Sequence, residues 1–255
     1  MLSFSRRGSG PEVVLLLHGF LGSGRNLANL ARRLSEEDPR RTICTVDLPG
    51  HGRSPALTPE ANFESAADQV IALATQVASG PVWLIGHSLG GRIGLTALGR
   101  APRQIGRLSM LDIGPSPTTG APSEQVGRWL LEAPATPKSR DEVIDHLVGR
   151  GLSRALADWL AMNLESGPAG LRWRIDRAAV LDFHLRTSGT DLWAVAARHA
   201  DRLQVILGGA SGYVAEGDRA RLVELGAAVT VLPGASHFLH SDALEPLVAA
   251  LQGSS

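Results

Sequence analysis

The segment Gly86-His87-Ser88-Leu89-Gly90 sets a hydroxyl between two glycines. It directly follows the apolar run Val82-Trp83-Leu84-Ile85, and Arg92-Ile93-Gly94-Leu95-Thr96-Ala97-Leu98, spaced as a helix, comes next. A strand that turns sharply into a helix at Gly-x-Ser-x-Gly leaves the serine hydroxyl exposed above a sheet, at a helix N-terminus. The flanking glycines suit a turn with no room for a neighbouring Cβ. With 29 glycines in 255 residues the bare pattern carries little weight, so the strand before it and the helix after it make the argument. The plainer alternative is a glycine-rich loop whose serine only caps the helix.

A serine is a poor nucleophile until a base takes its proton, and that base needs a carboxylate to fix its tautomer. When the nucleophile sits at such an elbow, acid and then histidine follow it along the chain. His237, in Pro233-Gly234-Ala235-Ser236-His237-Phe238-Leu239-His240, follows the last apolar strand and is the expected base. His240 ranks second. His87 adjoins Ser88, but adjacent side chains on a tight turn diverge. For the acid, the loop after the strand Leu203 to Leu207 reads Gly208-Gly209-Ala210-Ser211-Gly212-Tyr213, with no carboxylate before Glu216. Asp112, at the carboxyl end of the preceding strand, is preferred. Asp218 and Glu216 remain alternatives, and Asp112 could instead cap a turn. Ser211 is expected to hydrogen-bond within the acid–histidine pair. An oxyanion needs two N–H donors, expected from the backbone of Leu89 and, in the loop after the first strand, of Phe20.

Other chemistry-bearing residues have plainer readings. His18 braces its loop, and Asp47 and His51 form the turn in Asp47-Leu48-Pro49-Gly50-His51-Gly52-Arg53-Ser54. The pair His237-x-x-His240 lacks a third ligand at suitable spacing, so no metal is expected. Gly8 and Gly10 are too far from a dinucleotide fingerprint to imply a cofactor. Arg172, Arg174 and Arg177 could select an acidic acyl group or a phosphate-bearing carrier, but a solvated surface explains them more simply.

Behind these residues the chain alternates apolar strands with amphipathic helices. Strands are expected at 13–17, 42–46, 82–85, 108–113, 203–207 and 229–232, with helices at 26–37 and 63–77 and near 217–225 and 243–251. Such alternation predicts a mainly parallel sheet flanked by helices, with the site at the strands' carboxyl ends. From Gly114 to about Ala200 the rhythm breaks into helical patterns without a convincing strand. Residues 1–115 and 200–255 are therefore expected to form the core, and 116–199 a helical lid whose Trp129, Trp159, Trp173 and Trp193 either line a pocket or fill the lid's own core. Basic and acidic residues balance at 25 each, which argues against a nucleic-acid partner or an electrostatic membrane partner. No secretory signal or membrane span is expected, and the single Cys44 falls in an apolar strand, so a cytoplasmic location is the default. Oligomeric state is not fixed by the sequence.

His18-Gly19-Phe20-Leu21-Gly22-Ser23, Asp47-Leu48-Pro49-Gly50-His51-Gly52-Arg53-Ser54, Gly86-His87-Ser88-Leu89-Gly90-Gly91 and Gly234-Ala235-Ser236-His237 together resemble the α/β-hydrolase superfamily, over about Val13 to Leu251. Within it, Leu111-Asp112-Ile113-Gly114-Pro115, Trp173-Arg174, Asp182-Phe183, Gly208-Gly209-Ala210-Ser211-Gly212-Tyr213-Val214 and His237-Phe238-Leu239-His240 are similar to small bacterial esterases of the YbfF type. The resemblance implies an α/β-hydrolase fold with a helical cap inserted after the sixth strand in that fold's usual numbering. It also implies a tetrad of Ser88, Asp112, His237 and Ser211, and hydrolysis of a small-molecule ester or thioester with no cofactor. Short to medium acyl chains are expected. Residues 1–12 can supply at most one strand, so the edge hairpin common in the superfamily is expected to be reduced. Two other readings fit the same motifs: a lyase of menaquinone synthesis, which the segment after His18 also resembles, and a receptor-like hydrolase that binds without turnover.

Overall fold

A computed structural model describes residues 1–167 and 170–253. Residues 13–17 and 82–85, at the centre of the sheet, are uninterrupted apolar runs because both of their faces are covered. Successive side chains of β2 (Glu12–Leu17) point to opposite faces. Leu15 and Leu17 enter one core with Ala67 and Val70 of α2 (Phe63–Val77) and Ile93 of α3 (Leu89–Arg100). Val14 and Leu16 enter a second core with Leu30 and Leu34 of α1 (Ala28–Glu37) and Leu247 and Leu251 of the last helix, Leu244–Gln252.

The sheet has seven strands in the order β1-β3-β2-β4-β5-β8-β9. The remaining six are β1 (Phe4–Arg7), β3 (Arg41–Val46), β4 (Val82–His87), β5 (Ile105–Leu111), β8 (Leu203–Gly208) and β9 (Ala228–Leu232). Only β1 is antiparallel, pairing Phe4 with Val46 at the sheet's edge. Residues 1–12 thus supply one strand plus the start of β2. After β3 the chain crosses to the other side of β2, so strand order reverses between β2 and β4. A reversal of this kind opens a crevice at the strands' carboxyl ends. The loop after β2 carries Phe20, and β4 runs into Ser88.

Between β5 and β8 lie α4 (Pro122–Glu132), α5 (Arg140–Gly149), α6 (Arg154–Ala161), α7 (Arg177–Ser188) and α8 (Trp193–Arg198). The expectation of helices alone is corrected here: Leu164–Gly167 and Gly170–Trp173 form an antiparallel hairpin, β6 and β7. Each strand has four residues, too few for an alternating pattern to stand out in sequence. Arg172 and Arg174 both bind Glu165 across or beside the hairpin, at 2.8 and 3.1 Å. Arg177 donates to the carbonyls of Leu130 and Ala133. The three arginines are therefore engaged within this layer. The fourth expected strand also ends earlier, at Leu111, which leaves Asp112 and Ile113 beyond it. No helix among the described residues is long and apolar enough to cross a membrane.

Candidate active site

Ser88 is the residue between β4 and α3, with φ 52° and ψ −118°. This left-handed backbone is costly for a residue with a Cβ and persists only where the surroundings enforce it. The flanking glycines show what enforces it. A Cβ on Gly86 would lie 2.4 Å from the Gly90 carbonyl oxygen, and one on Gly90 would lie 2.5 Å from that of Leu17. Three non-glycine residues have positive φ among those described: Leu21, Ser88 and Asp112. Leu21 and Ser88 line one cavity, and Asp112 is joined to it through His237.

Asp112 follows β5 directly and is 1% exposed. Its amide donates to the Ile206 carbonyl at 2.8 Å, which sets it over the adjoining strand β8. The carboxylate then accepts from the Gly208 amide at 2.8 Å, from the Ser211 hydroxyl, and from His237 Nδ1 at 2.7 Å. The loops that carry these partners are laced together, with the Gly209 amide on Leu232 and the Ala210 amide on Ala235. Donation to a carboxylate fixes the proton of His237 on Nδ1 and leaves Nε2 as the free lone pair. Ser88 and His237 line one cavity. Neither alternative acid reaches the histidine: Glu216 pairs with Arg219 at 3.3 Å, and no hydrogen bond joins Asp218 to His237 among the described residues.

The proposed oxyanion donors flank the serine. Leu89 is the first residue of α3, where an amide has no acceptor within the helix and the helix dipole favours negative charge. The Phe20 loop presses on the elbow so closely that a Cβ on Gly19 would lie 3.2 Å from Ser88 Cβ. That loop is held from three sides. The Leu21 amide donates to His51 Nε2 at 3.3 Å, Asn163 Nδ2 donates to the Leu21 carbonyl at 2.8 Å, and the Leu48 amide donates to His18 Nε2 at 2.9 Å. Burial lowers the pKa of His18 to about 3 and of His51 to about 4, so both rings stay neutral. His87 is also kept neutral by burial, with His240 and His237 adding to the effect, and its Nε2 meets the His237 carbonyl at 2.8 Å. It therefore holds the backbone of His237. His240 is buried beneath His87 and is likewise lowered, to about 4.

The cavity at Ser88 measures about 140 Å³, and its walls are Val126, Leu156, Trp159, Leu160 and Phe238. Of the four tryptophans between β5 and β8, Trp159 is the one on this wall; Trp193 is buried, and Trp173 donates to the Pro134 carbonyl at 2.8 Å. A larger polar cavity of about 240 Å³, bordered by Arg25, Arg53 and Arg174, contains neither Ser88 nor His237, and among the described residues no histidine lines it. Cys44 is fully buried in β3, and burial raises the pKa of its thiol. Three further residues face the site: Ser123 and His184, which carry no sequence signal, and Tyr213, which the sequence shows only as part of the motif 208–214 without a role of its own. Tyr213 stacks on His237, and the other two come from α4 and α7.

Comparison with known proteins gives the family. A family model described as alpha/beta hydrolase fold matches residues 12–164. The mouse sn-1-specific diacylglycerol lipase ABHD11 is 28% identical over 250 residues, covering 90% of this chain and 76% of the lipase. A 2-(acetamidomethylene)succinate hydrolase from Mesorhizobium japonicum is 29% identical over 263 residues, covering 98% and 90% of the two chains. Among solved structures, a marine microorganism esterase superposes with a TM-score of 0.84 at 24% identity, covering 100% of this chain and 99% of the esterase. E-2-(acetamidomethylene)succinate hydrolase gives a TM-score of 0.82 at 25% identity, covering 99% and 94%.

Proposed function

Because this chain belongs to the α/β-hydrolase fold family and is a hydrolase of the esterase and lipase type, we propose that it is a serine carboxylic-ester hydrolase working through an acyl-enzyme on short to medium acyl esters or thioesters. The observation that carries the reading is the 2.7 Å bond from His237 Nδ1 to buried Asp112, made beside a strained Ser88 on the same cavity. Nε2 of His237 takes the Ser88 proton as the hydroxyl oxygen attacks the acyl carbonyl carbon. The carbonyl electrons move onto oxygen, and the amides of Phe20 and Leu89 receive that charge. His237 then returns its proton to the leaving alkoxide or thiolate, which departs as an alcohol or thiol. Water repeats the sequence on the acyl-enzyme, releasing the carboxylic acid and restoring Ser88. Asp112 stabilises the imidazolium in both halves, and Ser211 orients Asp112.

Residues 116–199 act as the lid in this reading, with α4 and α6 forming the wall that the acyl chain meets. The cavity is below half of the roughly 300 Å³ at which pockets for drug-sized ligands begin, which favours a short chain. The test is the hydrolysis of p-nitrophenyl esters across acyl lengths by the native protein and by Ser88→Ala. The native enzyme should turn over with an optimum at short chains, and Ser88→Ala should lose roughly 10⁴-fold or more in kcat. Turnover that survives in Ser88→Ala overturns the acyl-enzyme. Ligand-induced thermal stabilisation with no native turnover favours a receptor-like role instead.

A further inference from the structure

Two aromatic stacks and one hydroxyl join the helices between β5 and β8 to both halves of the catalytic machinery. The Tyr213 ring lies over the His237 imidazole, 3.7 Å between centroids and 15° from parallel. Its phenol, whose pKa burial raises, shares the cavity wall with Ser123 in the first turn of α4. Ser123 Oγ is in turn 3.0 Å from Nε2 of His184 on α7. The His184 ring, kept neutral by burial, stacks on Phe20 at 3.9 Å and 12°. The path thus runs from the base, through α4 and α7, to the loop of the oxyanion donor.

The Asp112 hydrogen bond holds Nδ1 of His237 but leaves the imidazole free to swing about the line of that bond. A face-on aromatic ring removes that freedom, and its negative face favours the imidazolium formed when Ser88 is deprotonated. Ser123, on the same wall and held by His184, backs the Tyr213 ring from α4. On the other branch, His184 packs flat on the Phe20 side chain, whose backbone amide must aim at the oxyanion.

We propose that Tyr213, Ser123 and His184 are positioning residues that align His237 and the Phe20 loop together, so that the catalytic site is complete only while α4 and α7 are seated on it. This rests on the esterase reading above. It goes beyond that reading in making two residues of the inserted helices contributors to kcat, where a simple lid would govern substrate entry and KM.

The experiment measures kcat and KM with p-nitrophenyl butyrate, together with the proton NMR shifts of the His237 ring, identified by their loss in His237→Gln. Tyr213→Leu should lower kcat about tenfold, the change an ordinary cation–π contact supplies, with KM within about twofold. Tyr213→Phe, which keeps the ring, should recover most of that loss. Ser123→Ala should lower kcat roughly three- to tenfold and Ser123→Thr should restore it, while Ser123→Ala/Tyr213→Phe should be no worse than the poorer single variant. The His237 ring protons should move downfield in Tyr213→Leu as the ring current is lost. A KM rise with unchanged kcat in Tyr213→Leu overturns the proposal, since Tyr213 would then only line the pocket. Ring-proton shifts that do not respond to Tyr213→Leu overturn it as well. An inactive native enzyme overturns the esterase reading itself, whereas an active one with unaffected variants overturns only this proposal.

Discussion

Two aspartates in this molecule follow the last residue of a parallel strand, and each lies in a histidine-containing loop system. Asp47 follows β3 and Asp112 follows β5. Asp47 spends its oxygens on backbone amides, those of Gly24 at 2.8 Å and Arg53 at 2.9 Å. The histidines of its loop system are committed at both ring nitrogens: His18 to Gly19 and Leu48, and His51 to Pro49 and Leu21. Asp112 binds a histidine side chain directly, and Nε2 of that histidine has no protein partner among the described residues. Residue type is therefore a poor guide to role. A saturated histidine is scaffolding, whereas one with a single nitrogen tied to a carboxylate and the other left over at a cavity is equipped as a base.

The largest effect that could break this comparison comes from the matched pair Asp112→Asn and Asp47→Asn. Asparagine at 112 can offer N–H to Nδ1 of His237 and so favours the wrong tautomer; kcat should fall about 10⁴-fold with little change in unfolding free energy. At 47 the same change sets an amide N–H against a backbone N–H. Stability should drop by about 1–3 kcal/mol while kcat of the folded fraction stays within a few-fold. Ester turnover and urea denaturation on both variants check this. Equal losses of rate would erase the distinction between the two sites.

Acidification gives the next largest effect, acting on the scaffold before the chemistry. His18 is lowered from 6.5 to about 3, and His51, His184 and His240 to about 4. Between pH 6.5 and about 4 the unfolded chain therefore binds protons at these sites that the native chain refuses. Stability is full above the unfolded value and is lost as pH falls through that window, by up to ~1.4 kcal/mol per pH unit for each fully responding histidine. Unfolding free energies measured from pH 7 to 4 should decline steeply, and His51→Gln should make the slope shallower by about one proton. A flat profile would mean that these rings accept protons in the folded state.

The same contrast between local and assembled features runs through the whole chain. Ser88 and His237 were legible because their signals are local: a glycine-flanked turn between a strand and a helix, and a loop after the last strand. The structure joins Asp112 to that histidine, an acid inferred from a missing carboxylate in 208–213 and from the adjacency of β5 and β8. The six parallel strands are legible because burial leaves them mainly apolar, without interruption in 13–17 and 82–85, while half-exposed β9 at the edge shows the β-branched run Val229-Thr230-Val231. The hairpin at 164–173 was not, since its alternation lasts four residues per strand and its cross-strand support is the pairing of Glu165 with two arginines. Ser123 and His184 carry no local signature either, and Tyr213 shows only as part of the motif 208–214, with nothing to say that its ring meets His237. Ser123 and His184 are 61 residues apart in the chain, and only packing of α4 against α7 makes them neighbours.

The smallest effects should come from two hydroxyls that serve the two aspartates in different ways. Ser211 donates to the Asp112 carboxylate, the charge that steadies the imidazolium, so its loss in Ser211→Ala bears on the transition state. A hydrogen bond to a charged group of this kind predicts a kcat reduction of roughly tenfold to a hundredfold. Ser54 instead donates to the backbone carbonyl of Asp47 at 2.5 Å and accepts from the Ser3 amide at 2.8 Å. Ser54→Ala should therefore cost only about 0.5–1.5 kcal/mol of stability, by freeing β1 at the sheet's edge, and leave kcat unchanged. Kinetics and thermal unfolding of the two variants in parallel decide the matter. If Ser211→Ala lowers stability and spares kcat, Ser211 belongs with the scaffold, and Asp112 must then be oriented by the Gly208 amide alone.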